Sequence, residues 1–300
     1  MLPIAFHPIY KHPLPEGHKF PMLKYELLPQ QLLLEGIAEE SDFFAPDRAD
    51  LRYIYAVHDK DYVDSLLDLT LDARAQRKIG FPLSAALIER ELRIAQGTII
   101  GCEKAFETGV AFNIAGGTHH AFTNRGEGFC MLNDQAIAAN YLLEEKLASK
   151  ILIIDLDVHQ GNGTAEIFQH NSNVFTFSVH GQTNYPFSKE VSDLDIGLPN
   201  RTADDEYLKL INEYVPKLID QEKPDFIFYL SGVDILESDK LGNLSVSVEG
   251  CKRRDEIVLS NCKKLQIPVQ VSMGGGYSPE IKTIIEAHTN TYRVAADIYN

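Results

Sequence analysis

The chain has 300 residues, with 43 Asp and Glu against 28 Lys and Arg, and its formal net charge is −15 at pH 7. This acidic balance argues against direct nucleic-acid binding, because phosphate backbones are bound by basic surfaces. The 44% hydrophobic and 24% charged residues are typical of a folded globular protein and exclude a disordered or fibrous chain. No segment has the apolar length of a membrane-spanning helix, and the N-terminus does not have the pattern of a signal peptide. We therefore expect a cytoplasmic protein without a membrane partner; the sequence does not indicate an oligomeric state.

The cysteines are scattered and form no C-x-x-C pair; they are Cys102, Cys130, Cys251 and Cys262. Without a secretory signal, we expect free thiols in a reducing compartment and no disulfides. The spacing also excludes a thiolate zinc site, so any bound metal must be held by His, Asp or Glu.

Beyond an irregular first 70 residues, helical patterns alternate with short apolar, β-branched runs. In chain order we predict helices over 84–106 (interrupted at Gly97 or Gly101), 137–147, 203–221, 251–265 and 280–288. The predicted strands are 111–114, 150–155, 173–178, 225–230, 267–272 and 291–295. Continuous apolar runs are typical of strands buried on both faces of a parallel sheet. The alternation indicates an α/β fold with an open, mostly parallel sheet and helices on both faces. Because no linker interrupts it, we expect a single domain over residues 1–300.

Polar residues cluster where five of these predicted strands end. The segments are 116–120, 155–163, 178–180, 231–234 and 274–277. Ligands of open α/β sheets bind at the carboxyl ends of the strands, so we expect these segments to form one site.

The most informative segment is Asp155-x-Asp157-x-His159. If the strand persists, alternation places the three side chains on one face. One interpretation is a polar strand end with a helix cap. The other is a divalent metal site, since carboxylate and imidazole are common ligands. With Asp234 as the third ligand, Asp157 and His159 would leave an open coordination position, which is typical of a catalytic metal.

Two further segments have alternative interpretations. The adjacent His119 and His120 are ordinary surface residues if taken alone, but beside a metal they indicate acid–base catalysis, with Asp155 orienting one imidazole. The glycines of Gly274–Tyr277 could form a flexible turn or a phosphate-binding loop. The alternative is a hinge that presents the Tyr277 hydroxyl to a developing oxyanion.

At these positions the sequence resembles the histone deacetylase superfamily, which has an arginase-like α/β fold. Six blocks match in order and spacing between about residues 5 and 295: 116–121, 128–134, 154–163, 178–180, 231–234 and 274–277. The Asp-Val-His-Gln-Gly-Asn-Gly form of the third block, the segment 239–242 and the early segment 18–25 look most like the class IV, histone deacetylase 11-like branch and its bacterial relatives.

The resemblance implies metal sites and catalytic groups. Zn²⁺, or alternatively Fe²⁺, would be bound by Asp157, His159 and Asp234. A structural K⁺ would be held, largely through backbone carbonyls, by Asp155, Asp157, His159, Ser178 and Val179. His120 would act as general base and then acid, His119 would be a second imidazole oriented by Asp155, and Tyr277 would stabilise the oxyanion.

The resemblance also implies a substrate channel, lined by Gly128 and Phe129. Asn162 stands where many deacetylases have an Asp beside the second histidine, and should lower the basicity of His120. Leu241 stands where the polyamine deacetylases of the family have a gatekeeping Glu. No clear equivalent of a substrate-binding rim Asp is found near residues 80–84.

We therefore expect a metal-dependent amidohydrolase that deacylates acyl-lysine in proteins or peptides. One alternative is the same chemistry on a small acylamide such as an acetylated polyamine. The other is an inactive module that binds acyl-lysine or a partner protein.

Overall fold

The computed structural model describes all 300 residues. Its strands are β1 (Ile4–Ala5), β2 (Phe43–Phe44), β3 (Val110–Asn113), β4 (Ile151–Asp155), β5 (Val174–Gly181), β6 (Leu194–Leu198), β7 (Phe226–Leu230) and β8 (Val269–Ser272). They form one sheet in the order β2-β1-β3-β8-β7-β4-β5-β6, and every pairing is parallel. The predicted α/β class with a parallel sheet is confirmed.

Ten α-helices connect and cover the strands. They are α1 (Lys24–Leu34), α2 (Leu51–Tyr55), α3 (Lys60–Leu67), α4 (Ala73–Ile79), α5 (Ala85–Thr108), α6 (Asp134–Glu144), α7 (Asn162–Phe168), α8 (Asp204–Glu222), α9 (Val248–Leu265) and α10 (Ile281–Tyr299). None of these helices combines the length and the apolar character that crossing a bilayer requires.

The centre of the sheet is covered on both faces. Every residue of β3, β4, β7 and β8 is buried, which explains their continuous apolar runs. A hydrophobic cluster of 79 buried residues surrounds these strands. The carboxyl ends of four adjacent, fully buried strands therefore provide a well-packed base for the loops that follow them.

The strand predicted at 291–295 is wrong, because these residues belong to α10. The local sequence is rich in β-branched and aromatic residues, but Ile284, His288, Thr291 and Ala295 are all buried at helical spacing. Packing of this face, with α10 against α9, overrides the local preference for a strand.

The predicted interruption near Gly97 and Gly101 is also wrong, because α5 is continuous. Both glycines are buried in the helix. A Cβ on Gly97 would lie 2.7 Å from the Tyr10 hydroxyl and 3.0 Å from Asn113 Nδ2. These glycines allow the helix to pack close to the sheet and its neighbours, and they do not end it.

Candidate functional site

Loops after β3, β8, β7 and β4, which are neighbours in the sheet, meet at one end of the molecule. They carry His119 and His120, Tyr277, Asp234, and Asp157 with His159, respectively. The strand order therefore brings together four segments that are distant in sequence. The fifth segment, at 178–180, lies inside β5, which pairs with β4.

A cluster of Asp157, His159 and Asp234 is buried at this end, with its ligand atoms all within 4.8 Å of one another. His159 Nδ1 lies 3.0 Å from Asp157 Oδ1 and 3.1 Å from Asp234 Oδ2. The expectation that strand alternation aligns Asp155, Asp157 and His159 is wrong, because β4 ends at Asp155. A tight loop after the strand orients Asp157 and His159 towards Asp234.

The donor set fits a divalent cation. Two buried carboxylates face a single imidazole nitrogen, and burial together with Asp157 raises the pKa of Asp234. The remaining carboxylate oxygens are held by backbone donors: Gly275 N–H lies 2.8 Å from Asp157 Oδ2, and Val158 N–H lies 2.9 Å from Asp234 Oδ1. A Cβ at Gly275 would collide with the Asp234 carboxylate. Buried like charges need a counterion, so the fixed oxygens form a suitable cation cradle.

The adjacent histidines are buried, with ring centroids 4.1 Å apart, but have different partners. His119 Nδ1 lies 2.7 Å from Asp155 Oδ2, whereas His120 Nδ1 lies 2.6 Å from Asn162 Oδ1. Burial alone would lower the pKa of His119, but the carboxylates of Asp155 and Asp157 together outweigh burial and the pKa is raised. Burial and the neighbouring His119 lower the pKa of His120 well below its usual range.

The loop that carries these histidines is held by Asp134, the first residue of α6. Its Oδ1 accepts the N–H groups of Gly117 and Thr118, both at 2.9 Å. Asn133, just before it, caps α6 by accepting from Ala136 N–H. The start of a buried helix thus fixes the histidine loop.

Tyr277 lies between an inner cavity of about 40 Å³ and an entrance pocket of about 410 Å³ and lines both. Its backbone N–H donates to Asp239 Oδ2 at 2.6 Å. Ser238 Oγ and Ser278 Oγ, 2.8 Å apart, connect the same two loops. Tyr277 is therefore fixed relative to the loop that follows the ligand Asp234.

The predicted channel residues Gly128, Phe129 and Leu241 all line the entrance pocket. Sequence analysis missed Tyr185, which packs edge-on against His120 with ring centroids 5.0 Å apart. Its hydroxyl donates to Glu127 Oε2 at 2.6 Å. Its position in the sequence could have indicated a role, because Tyr185 follows β5 at the same end of the sheet as the other site residues.

Two buried cations beneath the site were also missed. Lys24, at the start of α1, donates to Gly274 O at 3.0 Å, and burial lowers its pKa to about 8. Arg254, on α9, donates to the carbonyls of Ser231 and Gly232 at 3.1 and 2.6 Å. The sequence does not indicate that these two residues are buried, because Lys and Arg are equally common on the solvent-exposed faces of helices.

Of the residues predicted to hold K⁺, Asp155 and Ser178 are paired in the sheet, Val179 follows in β5, and Asp157 and His159 lie in the loop after β4. Ser178 Oγ lies 3.0 Å from His180 Nδ1, and Val179 is buried. The K⁺ site stays a prediction, as do the class IV assignment and the cytoplasmic location.

The chain is similar to histone deacetylases in sequence and to solved structures of related proteins in fold. The Histone deacetylase domain matches residues 18–292. An uncharacterized protein of Picosynechococcus sp. is 45% identical over 99% of both chains. Histone deacetylase 2 of Arabidopsis thaliana is 29% identical over 89% of this chain and 72% of its own. The crystal structure of an HDAC homolog complexed with SAHA has a TM-score of 0.84 at 24% identity, covering 99% of this chain and 84% of that one. At that identity the structural likeness shows the fold alone.

Proposed function

This chain belongs to the histone deacetylase family and is a hydrolase of that family, and we propose that it deacylates acyl-lysine in proteins or peptides with the help of Zn²⁺. One observation carries the proposal: the ligand cluster, two imidazoles and a tyrosine meet at the inner end of one entrance pocket. Fe²⁺ is the alternative ion, since the same ligands suit it.

Asp157, His159 and Asp234 would hold the ion, which would supply a Lewis acid for the amide carbonyl and the attacking water. These ligands come from two loops that backbone hydrogen bonds fix. Three protein ligands leave a position for substrate, as in catalytic rather than structural metal sites.

His120 is placed to move the proton. With its Nδ1–H donated to Asn162 Oδ1, the neutral ring keeps a lone pair on Nε2. Its lowered pKa keeps the imidazole unprotonated and able to accept a proton from water. Once the C–N bond breaks, the same nitrogen returns that proton to the departing lysine amine. His119, paired with Asp155, favours the protonated form and adds positive charge beside the developing oxyanion.

Tyr277 would donate its hydroxyl to the oxyanion. It borders both cavities, so its side chain lies where the carbonyl carbon must pass from the channel to the ligand cluster. A donor fixed in advance contributes most in the transition state, when charge develops on the oxygen.

The entrance supports an acyl-lysine over a polyamine. Leu241, about one-third exposed, lines the pocket where the channel begins, and it cannot pair with an ammonium group. Glu237 does not line the pocket, and the Asp239 carboxylate turns inward to Tyr277 N–H. An assay of acyl-lysine peptides of increasing acyl length beside acetylspermidine separates these substrates. A kcat/KM higher for acetylspermidine than for every peptide would contradict the proposal, and Leu241→Glu should shift preference towards polyamines.

The metal requirement is tested with Asp157→Ala, His159→Ala and Asp234→Ala. Each variant should lose stoichiometric divalent metal and peptide turnover together, whereas Asp220→Ala, on the exposed face of α8, should retain both. Metal content measured after dialysis, with the assay on the same samples, decides the outcome. Full metal occupancy in all three variants would exclude this ligand set, and a metal-loaded protein without turnover would favour a binding module.

A further inference from the structure

The entrance pocket has an unusual charge for this chain. Its lining contains two lysines, Lys78 and Lys240, and no Asp or Glu. The whole chain, by contrast, has a net charge of −15. The lining is therefore cationic at the place where substrate must enter.

Lys78, at the end of α4, is held beside one wall of the channel. Its backbone carbonyl accepts from Gly128 N–H at 3.0 Å. Its ammonium lies 3.5 Å from Glu127 Oε1, but that oxygen also accepts from Arg125 Nε at 2.9 Å. The second oxygen accepts from Tyr185. One carboxylate is shared between two cations, so this side of the entrance keeps an excess positive charge.

Lys240 lies in the loop after the ligand Asp234, beside a different wall. It is exposed and has no ion-pair partner. The adjacent Asp239 makes no ion pair with Lys240, because its carboxylate turns to the backbone N–H groups of Tyr277, Leu241 and Gly242. The second lysine is therefore free to bind an anion outside the channel.

We propose that Lys78 and Lys240 select acyl-lysine substrates whose neighbouring residues are acidic. The inference rests on the proposed function and names the peptide class that the entrance accepts. A lysine side chain in the channel places the residues on either side of it over the rim, within reach of the two ammonium groups. Cations at the mouth attract a carboxylate and repel a second substrate amine, which also disfavours polyamines.

The test compares three acetyl-lysine peptides of equal length, flanked by two Asp, two Ala or two Arg residues. We expect kcat/KM to be highest for the Asp peptide, lower for the Ala peptide and lowest for the Arg peptide. Each step should amount to about three- to tenfold, since exposed ion pairs are individually weak. The differences should shrink at high ionic strength, because salt screens exposed charges.

Lys78→Glu and Lys240→Glu should each weaken or reverse this order. Lys209→Glu is the matched control: it makes the same change in net charge on the exposed surface of α8, away from the pocket. Equal kcat/KM for all three peptides would overturn the inference. So would an order that Lys209→Glu changes as much as the rim variants, which would assign the preference to the overall field of the molecule.

The neutral peptide separates this inference from the proposed function. Its turnover supports deacylation whatever the flanking residues do. If no peptide is turned over, fluorescence anisotropy with the same labelled peptides still measures selection at the rim. Tighter binding of the Asp peptide that is lost in Lys240→Glu would then support selection of acidic peptides by the two lysines and contradict the proposed catalytic function. Equal binding would contradict both.

Discussion

At the scale of single residues, the site depends on which acceptor each polar group has. His119 and His120 are neighbours with the same burial, but a carboxylate faces one and an amide faces the other. The carboxylate stabilises an imidazolium, and the amide does not, so two identical side chains favour different protonation states. One ring can therefore stay positive while the other accepts a proton.

Tyr277→Phe tests the oxyanion donor, since it removes only a hydroxyl. We expect kcat to fall by about 100- to 1,000-fold, the usual effect of losing one such donor. KM should change little, because the lost hydrogen bond forms mainly in the transition state. Steady-state kinetics with an acetyl-lysine peptide measures both constants.

Metal content is the control for Tyr277→Phe, because the ring is not part of the ligand cluster. It should equal that of the unmodified protein. A variant that retains near-native kcat would show that Tyr277 does not stabilise the oxyanion.

At the scale of secondary-structure elements, α9 supports the backbone that follows β7. Arg254 is fully buried and donates to the Ser231 and Gly232 carbonyls, just before the ligand Asp234. Asp255 lies 2.9 Å from the same guanidinium. One helix residue thereby fixes the backbone from which a metal ligand projects.

Arg254→Lys should loosen this support while keeping the charge. A lysine ammonium cannot reproduce the fork of guanidinium donors, so carbonyls beneath the site lose partners. We expect metal affinity to fall about tenfold or more, the range seen when groups supporting a metal ligand are changed. Competition with a chelator measures it, alongside urea unfolding of the same sample.

The exposed neighbour Arg253, changed to Lys, provides the matched control on the same helix. It should alter neither quantity. An Arg254→Lys protein that is folded and binds metal with unchanged affinity would contradict the positioning role.

A second contact between elements joins the segment after α2 to the start of α6 through the side chain of His58. His58 is buried, with Nδ1 2.8 Å from Phe122 O and Nε2 3.0 Å from Asn133 N. The backbone N–H must donate to Nε2, so the imidazole is neutral and its Nδ1–H donates to the carbonyl. Burial lowers the pKa of His58 from 6.5 to about 4.

This link predicts a specific loss of stability in acid. Between pH 6.5 and about 4 the unfolded chain binds a proton that folded His58 does not, so stability falls as pH falls through this window. The contribution is about 2 kcal/mol lost at about pH 5 relative to about pH 7.5. His58→Gln removes this titration. The variant should therefore be less stable than the unmodified protein at about pH 7.5, and the difference in their free energies of unfolding should shrink by about 2 kcal/mol at about pH 5. Urea unfolding measures it, with the exposed His170→Gln as control; a deficit independent of pH would contradict the assignment.

The sequence predicted these elements unequally. The strands β3, β4, β5, β7 and β8 were predictable because burial on both faces demands continuous apolar runs. The two-residue strands β1 and β2 and the half-exposed edge strand β6 have no such run. Asp157, His159 and Asp234 were recognisable because polar residues directly follow buried strands. Arg254 was not, because its role depends on a helix packing beneath loops distant in sequence.

At the scale of the whole molecule, the irregular N-terminal region is built into the same structure as the site. β1 pairs with β3, whose loop carries the two histidines. Helix α1 packs against α10, and Lys24 at its start reaches Gly274 O beside the ligand cluster. Segments from both ends of the sequence therefore support the centre of the sheet, which favours our proposal of a single domain over residues 1–300.

A single domain predicts one cooperative unfolding transition. The chain has no tryptophan but 13 tyrosines, so near-ultraviolet circular dichroism of tyrosine reports side-chain packing while the far-ultraviolet signal reports helices. In urea the two signals should change with the same midpoint and slope, because neither half of the sheet retains a complete core without the other. The comparison is made with metal-loaded protein and repeated in excess chelator, since metal binding stabilises the folded state and should raise the midpoint without separating the signals. Two resolved transitions under both conditions would show that part of the chain folds independently, and would contradict the single-domain proposal.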